Sequence, residues 1–210
     1  MLKECDAEIL IEGNKIILDG TKEITKKFID VPKDFSSAAY LIAANILTEK
    51  VIPLVGIGVN ETRTAFLNVL EEMGANIELH NYSVISNEPR ADITASFDKK
   101  LKGISISGQK IPNLIDEIPL IAIMAMFAEG KTTIKDAKEL RYKESDRISL
   151  LLSNMKKFNP NISLKEFDDG FEIIPSKNFN NDSVDLKTGG DHRIIMSCLL
   201  YTSPSPRDSS

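Results

Sequence analysis

The chain has 210 residues, which is enough for one large domain or two small ones with a sizeable core. Apolar residues make up 42% and charged residues 27% of the chain, and the net charge of −5 argues against a general binder of nucleic acid or anionic membranes. No apolar run has the length of a membrane span, and the charged start is unlike a signal peptide. Cys5 and Cys198 offer neither zinc-ligand spacing nor a disulfide framework, so we expect a cytoplasmic protein.

Short runs that are β-branched, or that alternate between apolar and polar residues, lie between turn signals along the whole chain. We predict strands in these runs, at residues 7–11, 15–18, 75–79, 84–86, 103–107, 161–164 and 171–174. Between the strands, two long apolar segments predict buried helices, because they are apolar almost all round. One begins at Asp34 and runs to about residue 47, and the other begins at Asp116.

The two apolar segments are copies of one pattern. They align without a gap at an offset of 82 residues, from Asp34 to Asp116, and Asp191 opens a third copy. Each aspartate stands where a helix N-cap accepts backbone N–H groups. Such a repeat indicates a repeated α/β unit, with central helices ringed by outer sheets. Three helix N-termini at one end of the domain would attract anions there.

The densest charge lies in residues 140–147, which read Leu-Arg-Tyr-Lys-Glu-Ser-Asp-Arg and hold three cations and two carboxylates. The plain interpretation is a solvated, salt-bridged turn. If Ser145 caps the following helix, however, Arg147 lies in the first turn, where the helix dipole disfavours a cation. Arg193, just after Asp191, repeats that anomaly. A cation in either place is better explained by an anionic ligand.

Five segments in this order carry a resemblance to a known family: Val31-Pro32-Lys33-Asp34-Phe35-Ser36-Ser37-Ala38-Ala39, Asp116-Glu117-Ile118-Pro119, Phe127-Ala128-Glu129-Gly130, residues 140–147, and Asp191-His192-Arg193. Together they resemble the EPSP synthase family of enolpyruvyl transferases, over nearly all of residues 1–197. The resemblance implies an α/β fold of repeated βαβαββ units with buried helices and outer sheets. Residues 1–30 would then end the first enolpyruvyl transferase domain, and residues 31–197 would form most of the second.

The resemblance also implies an enzyme. Members of the family transfer the enolpyruvyl (carboxyvinyl) group of phosphoenolpyruvate to the 5-hydroxyl of shikimate 3-phosphate and release phosphate, in the shikimate pathway. The expected partners are these two small-molecule substrates, without nucleic acid, membrane, metal or cofactor, and the parent enzyme is expected to be a cytoplasmic monomer. Lysine and arginine can supply the cationic charge that such a reaction needs.

The family pattern assigns roles to five residues of this chain. Asp116 would contact the shikimate hydroxyls and act as proton acceptor, and Glu144 would be the second proton-transfer carboxylate. Lys143 would bind shikimate 3-phosphate, while Arg147 and Arg193 would hold phosphoenolpyruvate. Each carboxylate has a structural alternative: Asp116 as a helix cap, and Glu144 as a simple ion-pair partner.

Other ligands of the family's two-domain site precede anything in this sequence, so we expect the chain alone to be inactive. Residues 198–210 resemble one reading frame of a transposon-end sequencing adapter, and we expect them to be non-native. Three alternatives remain: UDP-N-acetylglucosamine 1-carboxyvinyltransferase, which lacks the Lys-Glu-Ser-Asp-Arg signature; RNA 3′-phosphate cyclase, which should carry a nucleotide-reactive histidine; and a non-catalytic βαβαββ-repeat binding module.

Overall fold

The structure, a computed structural model, describes residues 2–21, 23, 25, 28–97, 100–180 and 183–202. The helices are Phe35–Thr48 (α1), Ala65–Glu72 (α2), Ile118–Met126 (α3), Arg147–Phe158 (α4) and His192–Thr202 (α5). The strands are Glu8–Glu12 (β1), Lys15–Asp19 (β2), Leu54–Gly58 (β3), Asn76–Ile85 (β4), Glu88–Ser96 (β5), Ser105–Ile106 (β6), Thr132–Ile134 (β7), Ser163–Phe167 (β8) and Gly170–Ile174 (β9). Short 3-10 turns cover Leu2–Cys5, Gly108–Lys110 and Lys138–Tyr142.

The described strands form a hairpin and two larger sheets, and the larger sheets are built alike. β1 pairs with β2, while the larger sheets have the orders β3-β5-β4 and β6-β7-β9-β8. β6 runs parallel to β7, and the other pairs are antiparallel. In the three-stranded sheet a single parallel bridge between Lys33 and Ile57 takes the place of β6. The predicted repeat of βαβαββ units is therefore confirmed.

The interior consists of helices, as the sequence predicts. α1, α3 and α5 pack against one another, with β3 and β5 against α1 and with β9 against α3. All nine residues of α3 are buried, and none has a polar side chain that would lose a hydrogen bond to water. Val55 and Tyr82 lie exposed on the sheet of β3, β5 and β4, so this sheet is an outer layer. No helix in the described ranges combines the length and apolar character needed to cross a membrane.

One strand prediction is wrong in detail. Residues 75–79 and 84–86 were predicted as two strands, but both belong to β4. The pairing of β4 with β5 shifts register between His80 and Ser83, and Asn81 at the shift has a positive φ of 51°. This irregularity breaks the alternation of apolar and polar residues, and the sequence pattern therefore stops and restarts within one strand.

The predicted caps of α1 and α5 are confirmed. Asp34 Oδ2 accepts a hydrogen bond from the backbone N–H of Ser37 at 2.7 Å. Asp191 Oδ1 accepts one from the backbone N–H of Arg193 at 2.9 Å. Each carboxylate satisfies a backbone donor that the first helical turn leaves unpaired.

The predicted cap at Asp116 is wrong. α3 begins at Ile118, directly after Glu117, and no side chain caps it. The backbone N–H groups of Glu117 and Ile118 both donate to the carbonyl of Leu114, so a preceding turn already satisfies them. Pro119, the next residue, has no N–H to satisfy. The Asp116 carboxylate is therefore left for side-chain partners.

Candidate active site

The N-terminal ends of α1, α3 and α5 lie together, as the repeat predicts. Ser36 Oγ on α1 donates a hydrogen bond to Glu117 Oε1 at the start of α3, at 2.7 Å. Arg193 Nη1 on α5 donates to the backbone carbonyl of Asp116 at 3.0 Å. The Tyr40 hydroxyl donates to the backbone carbonyl of Arg193 at 3.4 Å. The positive ends of three helix dipoles therefore lie in one region.

Arg147, the first residue of α4, lies beside the starts of α3 and α5, with only 1% of its side chain exposed. Its Nε donates to Asp191 Oδ2 at 2.8 Å, and its Nη2 donates to Glu144 Oε2 at 2.5 Å. Its Nη1 lies 3.6 Å from Asp116 Oδ1 and has no hydrogen-bond partner among the residues that the structure describes. A buried guanidinium nitrogen without an acceptor is costly, and it leaves one donor available to a ligand.

Asp146, rather than Ser145, caps α4. Asp146 Oδ1 accepts the backbone N–H of Ser149 at 3.1 Å. Ser145 Oγ instead donates to Asp191 Oδ2 at 3.0 Å. Arg147 still occupies the first turn, where the helix dipole disfavours its charge, so the cation is retained there by carboxylate partners rather than by the helix.

Asp191 is fully buried and is the main counter-charge of Arg147. Burial would raise the pKa of this carboxyl, but hydrogen bonds from Arg147 and Ser145 outweigh it and hold the pKa below its ordinary value. A glycine allows the approach of Asp191 to α4. Gly189 has a φ of 60°, and a Cβ there would lie 2.9 Å from Leu150 Cδ1.

Arg193 brings a second guanidinium group to the carboxylate of Asp116. Arg193 Nη2 lies 3.3 Å from Asp116 Oδ2, and Arg193 Nη1 lies 3.8 Å from Glu117 Oε1. Asp116 is therefore flanked by Arg193 on one side and by Arg147 on the other. The structure brings together four of the five residues to which the sequence assigns roles, namely Asp116, Glu144, Arg147 and Arg193.

Lys143 is the fifth residue, and it does not join this cluster. Its ammonium group pairs with the carboxylate of Glu139, one helical turn earlier in the chain. Lys143 follows the 3-10 turn Lys138–Tyr142 and directly precedes Glu144 in the chain. An ion pair with an exposed partner such as Glu139 is weak and can exchange for another anion.

Two residues of the site, Arg63 and Glu117, were not predicted from the sequence. Ser36 was predicted only to start a helix. Arg63 Nη2 donates to Ser36 Oγ at 2.6 Å, and Ser36 in turn donates to Glu117. Glu117 is 4% exposed, and burial raises the pKa of its carboxyl. One signal was present, because Arg63 has the place in the first repeat that Arg147 has in the second.

Arg141 is the other arginine of residues 140–147. The interpretation of this segment as a salt-bridged turn holds for Arg141. Its Nη1 donates to Asp146 Oδ2 at 2.8 Å, and its Nη2 donates to Glu166 Oε1 at 2.9 Å. It also donates from Nε to the backbone carbonyl of Asp168 and from Nη2 to that of Phe167. Arg141 therefore ties the segment to the turn between β8 and β9 and has its donors occupied.

The arrangement combines buried guanidinium donors with partly exposed carboxylates. Arg147 and Arg193 can bind anionic groups, while Asp116 and Glu144 can accept and return protons. Within the described ranges, no three His, Cys, Asp or Glu side chains lie close enough to hold a metal ion. The cations described in this site are arginine and lysine side chains.

Comparisons with known proteins identify relatives of the chain. A family model described as EPSP synthase (3-phosphoshikimate 1-carboxyvinyltransferase) matches residues 1–203. The 3-phosphoshikimate 1-carboxyvinyltransferase of Thermodesulfovibrio yellowstonii is 44% identical over 203 residues, which are 95% of this chain and 46% of the relative. The corresponding protein of Aquifex aeolicus is 39% identical over 201 residues, which are 93% of this chain and 46% of the relative.

Solved structures resemble the chain in the same way. EPSP synthase from Acinetobacter baumannii matches with a TM-score of 0.85 and 34% identity, over 95% of this chain and 46% of that protein. The enolpyruvyl transferase NikO from Streptomyces tendae matches with a TM-score of 0.70 at 18% identity, over 95% of this chain and 44% of NikO, and therefore shares the fold. The chain spans a little less than half the length of the relatives it matches.

Proposed function

The chain belongs to the EPSP synthase family, and we propose that it supplies one side of the active site of a 3-phosphoshikimate 1-carboxyvinyltransferase. The whole protein transfers the enolpyruvyl group of phosphoenolpyruvate to the 5-hydroxyl of shikimate 3-phosphate. Relatives with that name favour this reaction over the transfer to UDP-N-acetylglucosamine and over a non-catalytic binding module. The chain covers 46% of the first of those relatives, and we propose that the polypeptide alone does not catalyse the reaction.

One observation carries the proposal. Arg147 Nη1 is buried and, among the described residues, has no hydrogen-bond partner, although two other nitrogens of the same guanidinium are bound to carboxylates. A structural arginine in a core has its donors occupied, whereas a ligand-binding arginine keeps one for the ligand. A phosphate or carboxylate oxygen of phosphoenolpyruvate would supply the acceptor, with Arg193 contributing a second guanidinium group.

The two partly exposed carboxylates then move the protons. Asp116 accepts the proton of the 5-hydroxyl group while the hydroxyl oxygen attacks C2 of phosphoenolpyruvate. The carboxyl group of Glu144 delivers a proton to C3. The product of this addition is a tetrahedral intermediate. In the elimination step a methyl proton returns to Glu144, the double bond forms again, and the C–O bond to phosphate breaks. The proton held by Asp116 passes to the leaving phosphate, so both carboxyl groups return to their starting states.

Lys143 completes the binding of shikimate 3-phosphate in this proposal. Its ammonium group exchanges Glu139 for the anionic substrate, at low cost because Glu139 is exposed and the present ion pair is weak. Lys143 and Asp116 would then contact shikimate 3-phosphate, while Arg147 and Arg193 contact phosphoenolpyruvate. The attacking hydroxyl and the enol carbon thereby meet beside Asp116 and Glu144.

We propose further that the parent protein is a cytoplasmic monomer that acts on small molecules without nucleic acid, membrane or cofactor. The acidic net charge of −5 supports the absence of a nucleic-acid partner. Residues 1–30 are proposed to end the first domain and residues 31–197 to form most of the second. The proposal that residues 198–210 are non-native concerns the end of α5 and residues 203–210, which lie outside the described residues.

A chimera tests the proposed function. We would replace the matching segment of the Thermodesulfovibrio yellowstonii relative with residues 1–197 of this chain, so that the rest of the relative completes both domains, and measure phosphate release. The expected result is release that requires both substrates, with none from the chain alone. Glu144→Gln should lower the turnover of the chimera by about a hundredfold or more, because a proton-transfer group is lost.

The matched control is Glu129→Gln, which removes an exposed carboxylate beyond the other end of α3 and should leave turnover unchanged. Turnover by the unfused chain would contradict the proposal. A folded chimera that releases no phosphate, or one that is indifferent to Glu144→Gln, would contradict it as well.

A further inference from the structure

Glu117 is a buried carboxylate that helix capping does not explain. It directly precedes α3, but its side chain makes no cap hydrogen bond. Its Oε1 accepts one hydrogen bond, from Ser36 Oγ at 2.7 Å. The guanidinium of Arg193 lies 3.8 Å from the same oxygen, which is beyond hydrogen-bond distance. Glu117 is therefore a desolvated carboxyl whose charge is only partly compensated.

The groups around Glu117 act on its charge in opposite directions. The hydrogen bond from Ser36 and the charges of Arg193 and Arg63 favour ionisation of Glu117, while the charge of neighbouring Asp116 disfavours it. Burial is the largest influence and raises the pKa of the Glu117 carboxyl, with Asp116 adding to the rise. Tyr40 on α1 also faces this region, and burial raises the pKa of its hydroxyl, so Tyr40 stays neutral where Glu117 titrates.

A bound anion would upset the charge balance of the site. Four carboxylates, Asp116, Glu117, Glu144 and Asp191, surround the two guanidinium groups of Arg147 and Arg193. A doubly charged anion adds negative charge to this region. Either a proton is taken up to offset that charge, or the anion is repelled. Asp191 is held ionised by Arg147, and Asp116 and Glu144 have access to water. Glu117 is thus the carboxyl that can be neutralised at least cost.

We propose that Glu117 is a positioning residue that acts through Arg193. As a carboxylate, Glu117 attracts the guanidinium group of Arg193. When a phosphate-bearing anion binds, Glu117 takes up a proton from solvent. The proposal rests on the anion-binding role of Arg193 in the proposed function. Ser36 and Arg63 keep the carboxyl in place from the first repeat. Proton uptake frees the guanidinium of Arg193 for the ligand, so affinity for a dianion increases as the pH falls.

Sulfate is the probe, because it resembles phosphate and its charge stays constant where Glu117 titrates. Its affinity for the 210-residue chain would be measured by NMR titration between about pH 5 and pH 8. We expect sulfate affinity to rise by about three- to tenfold as the pH falls across this range. Glu117→Gln should remove most of that dependence and, at the alkaline end, bind sulfate at least about threefold more tightly than wild type, since it mimics the protonated residue.

Two matched variants separate Glu117 from its surroundings. Glu129→Gln removes one negative charge from an exposed place beyond α3 and should keep the wild-type pH dependence. His192→Gln removes the imidazole at the start of α5 and should keep the wild-type pH dependence too. A pH dependence that persists in Glu117→Gln, or weaker sulfate binding by that variant at every pH, would overturn the inference.

A second variant covers the case in which Glu117→Gln does not fold. Arg63 is exposed, and Arg63→Gln removes a cation that favours the ionised carboxyl, so the pH dependence of sulfate binding should shift to higher pH. An unchanged midpoint overturns the inference. If sulfate does not bind to wild type, or if Arg147→Gln and Arg193→Gln bind it as wild type does, the proposed function fails instead.

Discussion

Arg141 and Arg147 lie six positions apart in one charged segment, yet their guanidinium groups are used differently. Arg141 is 16% exposed and donates to two carboxylates and to two backbone carbonyls. Arg147 is 1% exposed, and its Nη1 has no hydrogen-bond partner in the described part of the chain. The more deeply buried arginine is therefore the less completely satisfied one.

This difference separates a scaffold from a site. An arginine with occupied donors fixes geometry, and Arg141 fixes the 140–147 segment to the turn between β8 and β9. A buried arginine with an unpaired N–H donor carries an unfavourable free energy. An anionic ligand that accepts this hydrogen bond relieves it. Charge density alone, which is the same for both residues, does not distinguish these roles.

The largest expected effect comes from removing the counter-charge of Arg147. Asp191→Asn leaves this guanidinium buried with too little compensation, and we expect a loss of about 3 kcal/mol in the free energy of unfolding at neutral pH. The pKa of Asp191 is lowered, so its contribution is present above the ordinary aspartate pKa of about 3.9 and is lost as the pH falls through the folded-state value. The gap between variant and wild type should therefore narrow in acid.

Urea denaturation at several pH values measures this gap. The control is Asp168→Asn on the Arg141 side, because the Asp168 carboxylate is exposed and pairs only with Lys138 among the described residues. That change should leave the free energy of unfolding close to the wild-type value, because an exposed ion pair contributes little. A loss below about 1 kcal/mol for Asp191→Asn would show that Arg147 does not depend on Asp191.

The next effect concerns binding. Arg147→Lys keeps the charge but replaces three directed nitrogens with one, so the donor to the ligand is lost together with the carboxylate contacts. We expect sulfate affinity to fall about tenfold or more, against less than about twofold for Arg141→Lys. Isothermal titration of both variants makes the comparison. Equal losses in the two would remove the distinction between scaffold and site.

Arg141→Lys should also lower the free energy of unfolding. Arg141→Lys gives up hydrogen bonds to the carbonyls of Asp168 and Phe167, which a lysine ammonium cannot make together with both carboxylate contacts. We expect a loss of about 1 kcal/mol in the free energy of unfolding. Thermal unfolding followed by circular dichroism measures it, and an unchanged melting temperature would argue against a scaffold role for Arg141.

The smallest effect is at Glu117, whose burial raises the pKa of its carboxyl. Its favourable contribution to stability is complete below the ordinary glutamate pKa of about 4.3 and is lost as the pH rises through the folded-state value. Glu117→Gln should therefore gain stability relative to wild type as the pH increases. Glu129→Gln should show the opposite trend, since a hydrogen bond from Lys100 lowers the pKa of Glu129. Identical pH profiles for the two variants would contradict the assignment.

Local pattern predicted most of the fold. The apolar segments after Asp34 and Asp116 could be identified as buried helices because their composition leaves no polar face, and their alignment indicated the repeat. The cap at Asp116 was predicted wrongly, because the turn from Leu114 satisfies the backbone donors before the helix starts. A sequence shows the side chain that could cap a helix but not the carbonyl that competes for the same N–H groups.

The site was predictable only in part, because its contacts are distant in sequence. The place of Arg147 in a first helical turn set it apart from Arg141, but their partners Glu166 and Asp191 lie 25 and 44 residues away and could not be predicted. Glu117 was missed for a related reason. A glutamate beside another acid at a helix start is ordinarily solvated, and only the packing of three helix ends buries this one.

The central claim is that Arg147 keeps a donor for an anionic substrate while Arg141 does not. The direct test is an NMR titration of the 210-residue chain with phosphoenolpyruvate, observing the guanidinium ¹⁵N–¹H signals of both arginines. We predict saturable shifts for Arg147 and Arg193, with the Arg141 signals unmoved. Shifts confined to Arg141, or equal small shifts at all three residues, would contradict the account.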